Sequence, residues 1–108
     1  MAYYDLKRSG AQFMFNLRGD NNETVLTSER YTAKANALAG IASVKANAPL
    51  ESRYRRLTAS NSLPYFTLTG GNGEVTGTSE TYSSQGGRDG GIEWVKRNGP
   101  GAPTRDNT

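Results

Sequence analysis

Apolar side chains at Phe13, Phe15 and Leu17 alternate with Met14, Asn16 and Arg18, and this period of two predicts a strand with one buried face. The same alternation returns at Phe66 and Leu68, with Tyr65, Thr67 and Thr69 on the other face. Each run is followed by turn residues, Gly19-Asp20-Asn21-Asn22 in the first case and Gly70-Gly71-Asn72-Gly73 in the second. Further strands are predicted over 24–31 and 75–82, and opening strands over 3–7 and 53–58. The spacing then changes to that of a helix. Ala37, Leu38, Ile41 and Val44 form one stripe between about residues 33 and 47, with Thr32 in the N-cap position, Lys45 in the last turn and Pro49 as the stop. A second helix follows Ser83. It keeps Ile92, Val95 and Lys96 but places Gly86, Gly87, Gly90 and Gly91 in its first half, at a cost of about 1 kcal/mol each relative to alanine, so a loose first turn is expected.

The recurrence is a duplication. Shifting the chain by 51 positions aligns residues 3–49 with 54–100 without a gap, and 18 of those 47 pairs are identical. The densest shared stretches are Thr27-Ser28-Glu29-x-Tyr31 against Thr78-Ser79-Glu80-x-Tyr82, and Gly40-Ile41-x-x-Val44-Lys45-x-Asn47 against Gly91-Ile92-x-x-Val95-Lys96-x-Asn98. One unit of three strands and a helix is too small to offset its own chain entropy. Two units sharing a core are not. The expected fold is α+β: one domain over residues 1–108, with repeat one at 3–52, repeat two at 54–103 and a C-terminal strand at 104–108. Its strands form a single antiparallel sheet with both helices on one face, related by a pseudo-twofold axis.

Composition narrows the chemistry. Leu, Ile, Val and Phe make 17 of 108 residues, a lean core for a chain this long, while the net charge of +3 does not push it toward disorder. Without cysteine there is no disulfide, thiolate nucleophile or thiolate metal site, and without histidine the usual general base near neutral pH is missing. No cofactor is expected. No apolar run is long enough for a membrane span, and a cytoplasmic protein without a membrane partner is the default expectation.

The repeated residues Asn-Asn-Glu or Asn-Gly-Glu, Thr-Ser-Glu-x-Tyr and Gly-Ile-x-x-Val-Lys-x-Asn resemble those of the YegP-like family of small, functionally uncharacterised proteins, from Tyr3 to Asp106 and in both copies. The resemblance implies a tandem of three-strand, helix, strand units in one sheet, with the strand after each helix exchanged between halves: residues 53–57 and 104–107. It also implies a monomer that resembles a fused dimer, because some relatives match a single copy. It brings no activity, cofactor or catalytic residue.

The candidate chemistry is therefore modest. Thr27, Ser28, Glu29 and Tyr31, with Thr78, Ser79, Glu80 and Tyr82, could form two small hydrogen-bonding sites, but the structural reading, a strand-to-helix corner, is the stronger. Asn47 and Asn98 are expected as left-handed C-caps. Arg18-Gly19-Asp20 and Asn22-Glu23-Thr24 spell an integrin tripeptide and a glycosylation acceptor, yet read as a hairpin turn; Gly70-Gly71-Asn72-Gly73 lacks the Gly-Lys-Ser/Thr of a phosphate loop. An enzyme would have to rely on carboxylates such as Glu29 and Glu80, without histidine, cysteine or a dedicated metal cluster. The expected contact surface is the helix-free face of the sheet, where alternation with Leu6 and Leu57 inward projects Tyr3, Tyr54, Tyr65, Arg18 and Arg56 outward. These would serve a non-catalytic binding or interaction module for a protein or other ligand. Alternatively, aromatic and basic groups so interleaved would form a weak platform for single-stranded nucleic acid.

Overall fold

The computed structural model describes residues 1–108, the whole chain. The strands are β1 (Tyr3–Ser9), β2 (Gln12–Arg18), β3 (Thr24–Thr27), β4 (Tyr54–Thr58), β5 (Pro64–Thr69), β6 (Val75–Ser79) and β7 (Thr104–Asn107), and the helices are α1 (Lys34–Asn47) and α2 (Gln85–Asn98). All seven strands join one sheet in the order β4-β5-β6-β3-β2-β1-β7. The duplication is written into that order: β3 and β6 meet antiparallel at the centre with Thr27 opposite Thr78, so the two copies face each other across a pseudo-twofold axis. The sheet is mixed rather than wholly antiparallel, because β7 runs parallel to β1. A strand delivered by a helix crossover, rather than by a hairpin, can arrive in that direction. Both post-helix strands lie in the opposite half: β4, after α1, pairs with β5, and β7, after α2, pairs with β1.

One core serves both halves. Leu6, Phe15 and Leu17 from the first half and Phe66 and Leu68 from the second are buried with Ile41 and Val44 of α1 and Ile92 and Val95 of α2. Phe15, Leu17, Phe66 and Leu68 face the helices as predicted, but Asn16, Thr67 and Thr69 on the other face of β2 and β5 are buried as well, so burial itself does not alternate.

Four local expectations are corrected. The strand predicted through Tyr31 ends at Thr27, and Tyr31 returns only as a single bridge to Phe13. The helices begin one residue later than their expected caps. Ala33 occupies the N-cap of α1 with no side-chain bond, whereas Ser84, not Ser83, caps α2 and its Oγ accepts from the Gly87 amide at 3.0 Å. With that cap in place, α2 is helical for 14 residues, as α1 is, glycines included. Asn47 and Asn98 are not left-handed caps: Ala48 and Gly99 continue right-handed, and each asparagine side chain donates back to the carbonyl four residues earlier, at Ser43 and Trp94.

The fourth correction concerns the faces of β4. In the first hairpin Arg8 pairs with Phe13 across four intervening residues, whereas in the second Thr58 pairs with Pro64 across five. The gapless alignment hides this inserted residue, and in a strand a slip of one position turns every side chain over. Tyr54 therefore occupies the place of Tyr4, not Tyr3, and Arg56 the place of Leu6. Both lie on the helix face, and Leu57 lies on the open one.

Candidate functional site

The Thr-Ser-Glu-x-Tyr motif is built identically in the two halves. Ser28 Oγ accepts from the Phe15 amide at 2.9 Å and donates to the Glu29 carbonyl at 2.7 Å. Ser79 does the same between Phe66 and Glu80, at 2.9 and 2.8 Å. The serine thereby holds the chain as it leaves the sheet. Tyr31 then stacks on Phe15 with rings 6.4 Å apart, and Tyr82 on Phe66 at 6.3 Å. Each tyrosine lies so close over its helix that a Cβ on Gly40 would meet the Tyr31 hydroxyl at 2.5 Å, and one on Gly91 would overlap that of Tyr82. The Gly-Ile pair is shared because only glycine admits the tyrosine there. Thr27, Thr78 and the exposed carboxylates Glu29 and Glu80 line a shallow hollow of about 370 Å³ on the pseudo-twofold axis. No group of three or more acidic side chains is placed to ligate a metal.

A second pair of tyrosines ties the helix ends together. Tyr4 donates to the Gly99 carbonyl at 2.7 Å and Tyr54 to that of Ala48 at 2.6 Å, satisfying acceptors that a helix terminus leaves free. Lys45 and Lys96 lie over the Tyr4 and Tyr54 rings, at 5.5 and 5.9 Å. Burial raises both phenols well above the ordinary tyrosine range.

The five residues expected on the open face do not form one surface. Tyr54 is 7% exposed on the helix side, and Arg56 reaches Glu51 at 2.7 Å and Asp89 of α2 at 3.1 Å. Tyr3, Arg18 and Tyr65 do lie on the open face. There, Tyr3 is only 8% exposed, donating to Asn22 at 2.6 Å beneath the Arg105 guanidinium at 4.0 Å. Arg18 is spent on Asp5 at 3.1 Å, Thr24 at 2.7 Å and the Asn22 carbonyl at 3.1 Å. Of the three tyrosines, Tyr65 alone is not buried, and it is only partly exposed.

The deepest departure from symmetry lies elsewhere. Each helix crosses the β-turn of the opposite half, α1 over Gly70 and α2 over Gly19. Under α1 the small Ser43 Oγ approaches within 3.2 Å of where a Gly70 Cβ would stand, and no cleft forms. Under α2 the matching position is Trp94, whose indole edge comes within 3.0 Å of the corresponding point on Gly19. Beside it opens a cleft of about 370 Å³ lined by Trp94, Tyr82, Gly90, Gly91, Val25 and the turn residues Gly19, Asp20, Asn21 and Glu23. The Tyr82 phenol is raised chiefly by burial and further by Glu80 and Glu23. None of the lining residues is basic.

Comparison with known proteins places this arrangement. The model of a Domain of unknown function (DUF1508) matches twice in tandem, at residues 9–54 and 59–106. The chain belongs to the DUF1508 family. A UPF0339 protein of Bordetella pertussis is 58% identical over 106 residues, covering 98% of this chain and 96% of its own. The UPF0339 protein YegP of Escherichia coli K12 is 47% identical over 102 residues, covering 94% and 93%. Solution structures of a UPF0339 protein from Shewanella oneidensis and of YegP from E. coli superpose with TM-scores of 0.91 and 0.92, at 44% identity, over 97% and 99% of this chain and 90% and 93% of theirs. These relatives are uncharacterised, so the YegP-like resemblance is established and no specific function comes with it. Nothing among them points to catalysis, and no helix of this DUF1508 tandem is long and apolar enough to cross a membrane. Trp94 and its cleft were missed by a reading built on what the two DUF1508 copies share. The signal was the mismatched pair Ser43/Trp94 within an otherwise matched helix.

Proposed function

We propose that the protein is a monomeric, cytoplasmic, non-catalytic binding module that takes a small ligand in the cleft between α2 and the β2–β3 turn. One observation carries this reading: of two positions equivalent by duplication, the one with Trp94 holds a cleft and the one with Ser43 does not. Folding alone asks for no tryptophan there, since its counterpart packs with serine. A concave site with aromatic walls and a few polar groups is the form small-molecule sites take. The open sheet face supports a nucleic-acid platform poorly, because Tyr54 and Arg56 face the helices and Tyr3 lies beneath Arg105.

The test is a fragment screen followed through the indole N–H of Trp94, the one tryptophan of the chain, with Trp94→Ser as the control. Fragments that shift Trp94, Gly90 and Gly91 together, and lose this effect in the variant, support the reading. A diverse screen leaving all three unmoved defeats it.

A further inference from the structure

Resting on that cleft as the binding site, the inference concerns what it accepts: we infer that its ligand carries a small organic cation, a substituted ammonium group seated against Trp94 and Tyr82 with Glu23 as counter-charge. Three features converge on this chemistry. The walls are an indole and a phenol, the ring types whose faces attract ammonium groups most strongly, and quaternary ammonium ligands are bound elsewhere by such aromatic walls. The polar rim is anionic in a protein whose net charge is +3: Asp20 and Glu23 line the cleft, and no lysine or arginine does. Glu23 is exposed and makes no ion pair within the chain, so its charge is free to face a ligand. Asp20 is paired with the Met1 ammonium, which leaves Glu23 as the free charge of the rim.

The pseudo-twofold partner supplies the contrast. There Ser43 replaces Trp94 and Gly71 replaces Asp20, while Tyr31 and Glu74 stand for Tyr82 and Glu23. One aromatic wall and one carboxylate are thus absent on the side that has no cleft. Gly90, where the other copy has Ala39, brings bare helix backbone to the cleft wall and leaves room for a branched head group.

The probe is choline, titrated into the full chain, against 3,3-dimethyl-1-butanol, its uncharged isostere. Choline is expected to shift the Trp94 indole and the Gly90 and Gly91 amides saturably in the millimolar range and to quench Trp94 emission, with the isostere much weaker. Glu23→Gln, at an exposed position that leaves folding intact, should weaken choline several-fold and leave the isostere unchanged. Trp94→Ser should abolish the response of the glycine amides. Equal binding of choline and its isostere, or choline binding indifferent to Glu23→Gln, would overturn the cation while leaving the cleft a binding site. No response to choline overturns the cation as well. If the fragment screen also leaves Trp94, Gly90 and Gly91 unmoved, the cleft reading falls with it.

Discussion

Helix α1 is built on alanine and has no side chain capping its start, whereas α2 carries four glycines and begins at a serine cap, yet each spans 14 residues between equivalent positions. Intrinsic propensity alone would rank them far apart. Gly91 is matched by Gly40, so α2 differs by three glycines, two in place of alanines (Ala35, Ala39) and one in place of Asn36, about 2 kcal/mol in all, and a serine cap returns only about 1. What equalises them is the framework that both share: the Ile-x-x-Val stripe in the core, the tyrosine over the glycine, and the tyrosine hydroxyl at the last carbonyl. Helix length in this fold is set by tertiary contacts at fixed points, and sequence between those points is free to drift. The drift in α2 includes Trp94 and Gly90, which line the cleft.

The sharpest way to break that comparison is to remove a shared fixed point. Gly40→Ala and Gly91→Ala should each destabilise by about 1–3 kcal/mol in denaturant titrations, because the new methyl meets a tyrosine ring, although glycine-to-alanine in a helix ordinarily stabilises. Equal or greater stability would mean that Tyr31 and Tyr82 do not pin the helices. Next come the helix ends. Tyr4→Phe and Tyr54→Phe each orphan a carbonyl bonded in the buried interior, and a loss of about 1–2 kcal/mol is expected in thermal unfolding, similar for the two because the contacts are related by the duplication. The raised phenols give the same prediction a pH axis. A group held protonated by the fold stabilises fully below its unfolded value near 10, so stability should fall as pH rises above that point. The double Phe variant should show a weaker alkaline dependence, keeping the part that comes from the raised phenols of Tyr31 and Tyr82.

The caps separate the helices. Ser84→Ala should lose about 1 kcal/mol, and Ala33→Ser, placed on an extended N-cap backbone, should gain a few tenths to about 1, bringing α1 and α2 to parity. Gly86→Ala, at an exposed position where the nearest atom beyond its chain neighbours is Ser84 Oγ at 3.9 Å, should add up to about 1 kcal/mol. The smallest effect is expected at Glu51, where Arg56 first, then Lys96, hold the carboxyl down to about 2. A depressed folded-state value means its contribution is present above about 4.5 and fades as pH falls toward 2. Glu51→Gln should remove only that acid dependence, seen by comparing melting temperatures at pH 6 and pH 3.

Much of the fold was legible because the duplication repeats whatever both halves need. The alternation at Phe15 and Leu17, the turns, the Ile-x-x-Val stripe and the Thr-Ser-Glu-x-Tyr corner each occur twice, and each proved to be packing or backbone support, whereas Leu38, expected on the buried stripe of α1 and matched by Asp89 in α2, is exposed. Where copies differ, the same method failed. A single extra residue in the second hairpin is invisible to an alignment that tolerates it, yet it turned Tyr54 and Arg56 from the open face to the helices. The caps slipped by one position because Thr32, Ser83 and Ser84 all carry the right side chain, and only the path of the chain after Tyr31 and Tyr82 selects among them. The cleft depends on volume left beside Trp94, a quantity no spacing rule contains.

The seven-strand count follows from the fusion itself. Two separate units of three strands, a helix and a strand would bring eight strands, each lending its last one to the other. Joining them end to end makes the final strand of the first serve also as the opening strand of the second, so β4 must do two jobs and one place in the sheet is left without a tenant. β1 has β7 along its outer side, whereas β4 is bare. Symmetry is thus given up at one edge by the very covalent bond that secures it everywhere else, and the exposed, unpaired Arg55 stands on that bare strand, where charge discourages another chain from completing the set.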